Sequence, residues 1–257
     1  MGVTVELSGV LEEALEALVA AGLYQSKSEA VRDAVRRLLE SLDFREVALR
    51  AYVAAGFTFQ AASEASRLGL VELAGYFASR GVAPELGSTS VEEVSSGARL
   101  LDERGAAVLD LSALELLVHS GLASALVRPG VRAPRLVAPE SLEARVRLLP
   151  YAGRVRLGVP LPRWLVAVSR LPSGRPRPRR GVSLQELEAA ELARAHGAVY
   201  LSCDARSRAV ARSMGVEAAP LQSLALLLRE RGAIGVGELA LIEDRLASIP
   251  VAVALRP

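Results

Sequence analysis

Residues 106–121 read AAVLDLSALELLVHSG, and residues 198–215 read AVYLSCDARSRAVARSMG. Each is a short uncharged apolar run that ends near an aspartate, Asp110 or Asp204, and then turns helical. Uncharged runs of this kind suit strands buried on both faces, as parallel strands are. Strands alternating with helices predict an α/β domain built on a parallel sheet. In such sheets ligands bind beyond the carboxyl ends of the strands, where both aspartates fall. Two carboxylates brought together from distant parts of a chain repel each other unless a cation lies between them. Oxygen-only ligands select a hard ion, so Mg²⁺ or Mn²⁺ is the expected cofactor.

Two further stretches flank these motifs: SLQELEAAELARAHGAVYL at 183–201, and a long helical tail at 215–246, GVEAAPLQSLALLLRERGAIGVGELALIEDRL. Taken in order, the motifs resemble the PIN domain, the fold of small metal-dependent ribonucleases, over residues 104–257. Asp110 with Ser112 is similar to that family's opening acidic motif, with Leu111 where threonine is common. Ser202 and Asp204 match its later Thr-x-Asp motif conservatively, and Glu186 falls where a helix brings a glutamate to the site. The resemblance implies catalytic roles for Asp110, Ser112, Glu186, Ser202 and Asp204, with metal held by Asp110, Glu186 and Asp204. It implies metal-assisted hydrolysis of an RNA phosphodiester, the ion activating water and neutralising phosphate charge. The family's usual further glutamate, counted from Pro139, is Arg145 here. Either Glu143 (or, less well placed, Glu140) substitutes as a metal ligand through a shifted helix, or the site has three acids.

Each of these residues also has a plainer reading. Glu186 stands three residues after Ser183, the spacing of a capping box. Asp204 suits the cap of the helix that follows it. Cys203 reads as a small apolar filler, and the isolated His119 and His196 as structural or exposed.

The amino-terminal part reads differently. VTVEL at 3–7 alternates like a half-buried strand, followed by Leu11, Leu15 and Leu18 at helical spacing up to Gly22. A second helix starts at Ser26, with Glu29 at capping-box spacing and an apolar face of Ala30, Val31, Ala34, Val35 and Leu38. So short a unit cannot bury enough surface alone, so the strand wants a partner chain. GLYQSKSEAVRDAVRRLLE, at 22–40, resembles the second helix of the ribbon-helix-helix family, which implies a dimer whose paired strands meet operator DNA. The outward strand residues are Thr4, suited to a base edge, and Glu6, which would repel phosphates. The helix start near Lys27 and Ser28 suits a phosphate. A pure dimerisation module is the alternative.

Residues 46–81 form helices broken at Gly56 and Gly69, an order that suits a helix-turn-helix. They resemble a small antitoxin-like family through Ala48, Tyr52, Gly56, Ala61, Ala62, Glu64, Ala65 and Gly81. Residues 82–100, rich in Pro, Gly and Ser, read as a connector. The expected organisation is a ribbon-helix-helix over 1–45, a helical antitoxin-like module and connector over 46–103, and the PIN domain over 104–257.

The bulk numbers narrow the function classes. The 257-residue chain is 51% hydrophobic and 23% charged, which excludes a disordered chain. No apolar run is long enough to span a membrane, no signal pattern opens the chain, and a single cysteine leaves no internal disulfide, so a cytoplasmic protein is expected. The net charge of +2 divides unevenly: residues 1–104 carry 10 basic and 16 acidic groups, residues 105–257 carry 21 and 13. Opposite signs predict that the basic part meets a polyanion and the acidic part restrains it. Arg163, Arg170, Arg175, Arg177, Arg179 and Arg180 surround LPSGRPRPRRG at 171–181, and with Trp164, itself as readily a core residue, make an expected RNA surface. The expected function is a toxin–antitoxin-like fusion with a metal-dependent endoribonuclease. The alternatives are a DNA-binding transcriptional regulator with a degenerate PIN domain, or a scaffold without either activity.

Overall fold

The computed structural model describes residues 6–88, 90–247 and 252–253. Two compact units emerge, Met1–Phe44 and Arg45–Pro257. The strand expected over residues 3–7 lies largely outside the described residues, and Thr4 lies wholly outside them.

In the first unit, α1 (Val10–Ala20) and α2 (Lys27–Ser41) form a helical pair. Ser26 caps α2 by accepting the Glu29 amide at 3.2 Å, and the Glu29 carboxylate reaches back to the Gln25 amide at 2.7 Å. The pair buries little: Ala30 is its core, while Val10, Leu11, Leu23, Val35, Leu38, Leu39 and Leu42 stay exposed.

The second unit runs α3 (Phe44–Ala55), α4 (Phe59–Ser66), α5 (Leu70–Ser79), β1 (Gly87–Ser88), α6 (Val91–Arg104), β2 (Ala106–Leu109), α7 (Leu111–His119), α8 (Leu122–Leu126), β3 (Arg135–Pro139) and α9 (Glu143–Leu157). It continues with β4 (Ala167–Ser169), α10 (Leu184–His196), β5 (Val199–Leu201), α11 (Ala205–Ser213), β6 (Ala218–Ala219), α12 (Leu221–Glu230), α13 (Val236–Ala247) and β7 (Ala252–Val253), which pairs in parallel with β1. The α/β sheet expected from residues 106–121 and 198–215 is present: five parallel strands in the order β4-β3-β2-β5-β6. Its strands are short and nearly uncharged; β2 and β5 at its centre are almost wholly buried, while the edge strand β4 is partly exposed.

From Val91 onward, the connector expected over residues 82–100 is instead helix. Helix α6 packs along α12 and buries Val94, Gly97, Ala98 and Leu101. Its polar composition misled because Glu93 turns inward: it accepts from Arg208, which is 2% exposed and also donates to the carbonyls of Gly87 (2.8 Å), Ser202 and Cys203 (both 3.1 Å). Burial alone would push Glu93 up, yet hydrogen bonds from Ser88, Arg212 and Arg208 hold it down at about 2. This buried pair fixes the end of β5, the strand that leads into Asp204.

The α6–α12 contact depends on a missing side chain. A Cβ on Gly97 would press into Ser223 and stand 2.7 Å from the Ala219 Cβ. Gly97→Ala improves helix propensity, but the overlap outweighs it. Chemical denaturation should show a loss of about 1–3 kcal/mol.

Candidate acidic site

The strand order reverses between β2 and β5. From β2 the chain winds outward through β3 and β4, then returns to the other side for β5 and β6. Leu109 of β2 lies opposite Leu201 of β5, and the Asp110 amide donates to the Leu201 carbonyl at 3.3 Å. Asp110 and Ser202 therefore leave neighbouring strand ends level with each other, at the switch point where open α/β sheets place ligands.

Three helices begin there, each with an acid in its cap. Asp110 caps α7, its Oδ1 accepting the Ala113 amide at 2.8 Å and the Ser112 hydroxyl at 2.7 Å. Its Oδ2 accepts the Tyr200 hydroxyl at 2.9 Å. Asp204 caps α11, with Oδ1 accepting the amides of Arg206 (2.9 Å) and Ser207 (3.5 Å). Glu186 closes the capping box of α10, its Oε2 accepting the Ser183 amide at 2.8 Å. Ser112 and Ser202 tie the aspartates together: their hydroxyls lie 3.3 Å apart, Ser112 accepts the Cys203 amide at 2.9 Å, and Ser202 accepts the Asp204 amide at 3.1 Å. The capping and site readings of Glu186 and Asp204 describe the same geometry.

Two more donors arrive from far away in sequence. The Thr58 hydroxyl donates to Glu186 Oε2 at 2.6 Å, and the Phe59 amide donates to Asp204 Oδ2 at 2.5 Å. Thr58 also caps α4, accepting the Ala61 amide at 3.2 Å. Sequence reasoning missed Thr58 and Tyr200. The available signal at Thr58 was a threonine just ahead of a helix, whose orphan amides suit an anion. Nothing local marks Tyr200.

Asp110 and Asp204 are 0% exposed and Glu186 is 2% exposed. Burial pushes Asp110 up, against the hydrogen bonds from Ala113 and its serine and tyrosine neighbours. Burial, then the charges of Asp204 and Asp110, push Glu186 well above the usual carboxylate range. Asp204 is raised by burial to about 6, with the Phe59 amide pulling down and Asp110 pushing up. The Tyr200 phenol is raised as well, by burial and then by the Asp110 charge.

The donor set is the one a hard cation takes, and Glu186 Oε1 is a buried acceptor with no hydrogen-bond partner. The other five of the six carboxylate oxygens are committed to protein donors. Among the described residues, no three His, Cys, Asp or Glu side chains are grouped so as to hold a metal ion.

Other expected residues lie apart from the acids. Glu143 opens α9, where it pairs with Arg147 at 3.0 Å. Arg145 faces Glu115 at 4.0 Å in a groove of about 570 Å³ between α5, α7 and α9, and Glu140 pairs with Arg170. Lys27 is held by Glu12 (3.3 Å) and Glu16 (2.6 Å) rather than standing ready for phosphate, while Ser28 is exposed in the first turn of α2. Arg163, Arg175, Arg177, Arg179 and Arg180 are exposed, with Arg179 donating to Ser213 at 3.4 Å. Trp164 is 74% exposed, so its core reading falls. Cys203 is buried filler, its thiol pushed up by burial.

The raised carboxylates give stability a definite pH sign. Asp204 titrates near 3.8 when unfolded and about 6 when folded, so its contribution is complete below 3.8 and lost as pH rises through 6. Glu186 extends the loss to higher pH. Glu93 acts in the opposite sense, but its contribution is lost only as pH falls towards 2. Denaturation between pH 4.5 and 7.5 should show stability falling with pH, and Asp204→Asn, which removes that titration, should flatten the slope. Comparison with protein-family models and with curated proteins gives no match, so the site stands on its own geometry.

Proposed function

We propose that residues 104–257 act as a Mg²⁺- or Mn²⁺-dependent endoribonuclease of the PIN type, fused to an amino-terminal dimerisation or DNA-binding segment in the manner of a toxin–antitoxin pair. The observation that carries this reading is the set of three buried carboxylates at the switch point of a parallel sheet, with one oxygen left orphaned. Asp110, Glu186 and Asp204 would hold the ion. Ser112 and Ser202 keep the two aspartate turns in register through their hydroxyls. A bound divalent cation supplies Lewis-acid activation of water and charge neutralisation at the scissile phosphate. Burial and the neighbouring aspartates raise Glu186, and a cation would be held by the ionised carboxylate, so affinity should rise with pH. The exposed arginines of residues 163–180 and Trp164 suit the backbone and unpaired bases of single-stranded RNA.

One observation favours a second reading. Arg145 stands where the resembled family has its further glutamate and faces Glu115, and Glu143 pairs with Arg147, as would suit a DNA-binding regulator whose nuclease domain has lost catalysis. Mn²⁺ binding and cleavage of single-stranded RNA by the full chain separate the two. The ribonuclease reading expects both, with Asp110→Asn costing at least about 100-fold in each, more than a residue that merely supports a ligand. Metal bound with RNA intact would favour the regulator. Cleavage that survives both chelation and Asp110→Asn would remove the acids from the reaction.

The exposed apolar side chains of α1 and α2 support dimerisation through residues 1–44, because so small a pair cannot form a core alone. The full chain should sediment as a dimer, and Val35→Glu with Leu39→Glu should return it to monomers.

A further inference from the structure

The acids are held by two kinds of donor. Ser112, Ala113, Ser183, Arg206 and Ser207 lie within three residues of the acid they serve and accompany it in any state. Tyr200, 90 residues from Asp110, reaches it from the neighbouring strand β5, whereas Thr58 and Phe59 lie 128 and 145 residues from their acids and outside the sheet. The oxygens they occupy, Glu186 Oε2 and Asp204 Oδ2, are ones that a cation between these acids would need, beside the orphaned Glu186 Oε1. We propose that the Thr58–Phe59 turn is a built-in competitor for the divalent cation: seated, it holds the acids closed, and the ion binds only after it withdraws. The inference rests on the reading of the three acids as a metal site.

The turn is seated by polar contacts as well as by the buried Phe59 ring. The Thr58 amide donates to the Gly181 carbonyl at 2.8 Å, and Gln60 donates to the Ser183 hydroxyl at 3.2 Å. Arg206 works as a latch. Its Nη1 donates to the carbonyls of Tyr52 (2.6 Å) and Phe57 (3.1 Å), its guanidinium lies 3.8 Å from the Tyr52 ring centroid, and Glu85 pairs with it at 2.8 Å. The Phe59 ring packs on Tyr52 and Phe77, with centroids 5.9 and 5.4 Å away, in the core that also holds Leu109 and Leu201 of the sheet. The seated state is also imperfect. Gln60 Oε1 and Glu186 Oε1 are both buried acceptors without partners, a cost that withdrawal into water relieves.

Two states of the turn set the apparent metal affinity, which is weakened by the fraction of molecules in which the acids are open. Removing the Thr58 hydroxyl from a buried carboxylate should raise that fraction about tenfold. The experiment is Mn²⁺ titration by calorimetry on the full chain, with hydrogen exchange read over residues 57–62. Thr58→Ala should bind Mn²⁺ about tenfold tighter than wild type, Thr58→Ser should match wild type, and saturating Mn²⁺ should speed exchange in the wild-type turn. Arg206→Gln releases the latch without touching the acids or the α4 cap, and should tighten binding even if Thr58→Ala folds poorly. Equal affinity in all four proteins, with the turn still protected at saturating Mn²⁺, overturns the competition while leaving the metal site standing. No Mn²⁺ binding in any of them removes the metal site, and the competition with it.

Discussion

Three carboxylates almost sealed from water must be held by something, and in this protein amides and hydroxyls hold them. Four helices start at this one point: α7 at Asp110, α10 with Glu186 in its first turn, α11 at Asp204, and α4, whose Phe59 amide meets Asp204. Each start presents unpaired amides and the positive end of a helix dipole, which together partly offset the cost of burying the acids. The offset is partial, because burial and mutual repulsion still raise Glu186 and Asp204. The sheet topology brings these helix starts together, and the start of α4 joins them through Thr58 and Phe59.

A site of this kind is in tension with stability. Burial favours the protonated acids, the surrounding donors only partly oppose it, and a metal requires the acids ionised. The protein thus holds a reservoir of unfavourable electrostatics at the strand ends, of the sort that functional sites store while the surrounding structure over-determines them. The Glu93–Arg208–Arg212 cluster supplies that over-determination on one side, clamping the β5 end through three backbone carbonyls and a carboxylate.

The uneven charge of the two parts of the chain suggests restraint by broad attraction. The contacts found on the acids are of another kind. They are short-range and directional: a hydroxyl, an amide, and an arginine that grips two carbonyls and an aromatic face. Such contacts are screened by salt far less than opposed surfaces are. They also place residues 45–104 structurally with the α/β sheet, in one compact unit, rather than in a separate module on a loose connector.

The α/β class, the two strand–aspartate turns, the glycine breaks at Gly56 and Gly69 and the caps at Ser26 and Ser183 were legible in the sequence, because each depends on residues only a few positions apart. The same locality explains the failures. Residues 82–100 look polar because Glu93 and Ser88 serve a buried arginine more than a hundred positions later. Trp164 has a core residue's chemistry and a surface position. Arg145 stands at the place counted for a glutamate, but only packing showed that it faces Glu115. The meeting of Thr58 with Glu186, and of Phe59 with Asp204, has no local signature. Sequence alone determined which residues carry the acids and which helices they cap, since capping is short-range. Tertiary structure alone decided what else those acids touch, because burial and hydrogen bonding across 128 and 145 residues are settled only when the chain has closed around them.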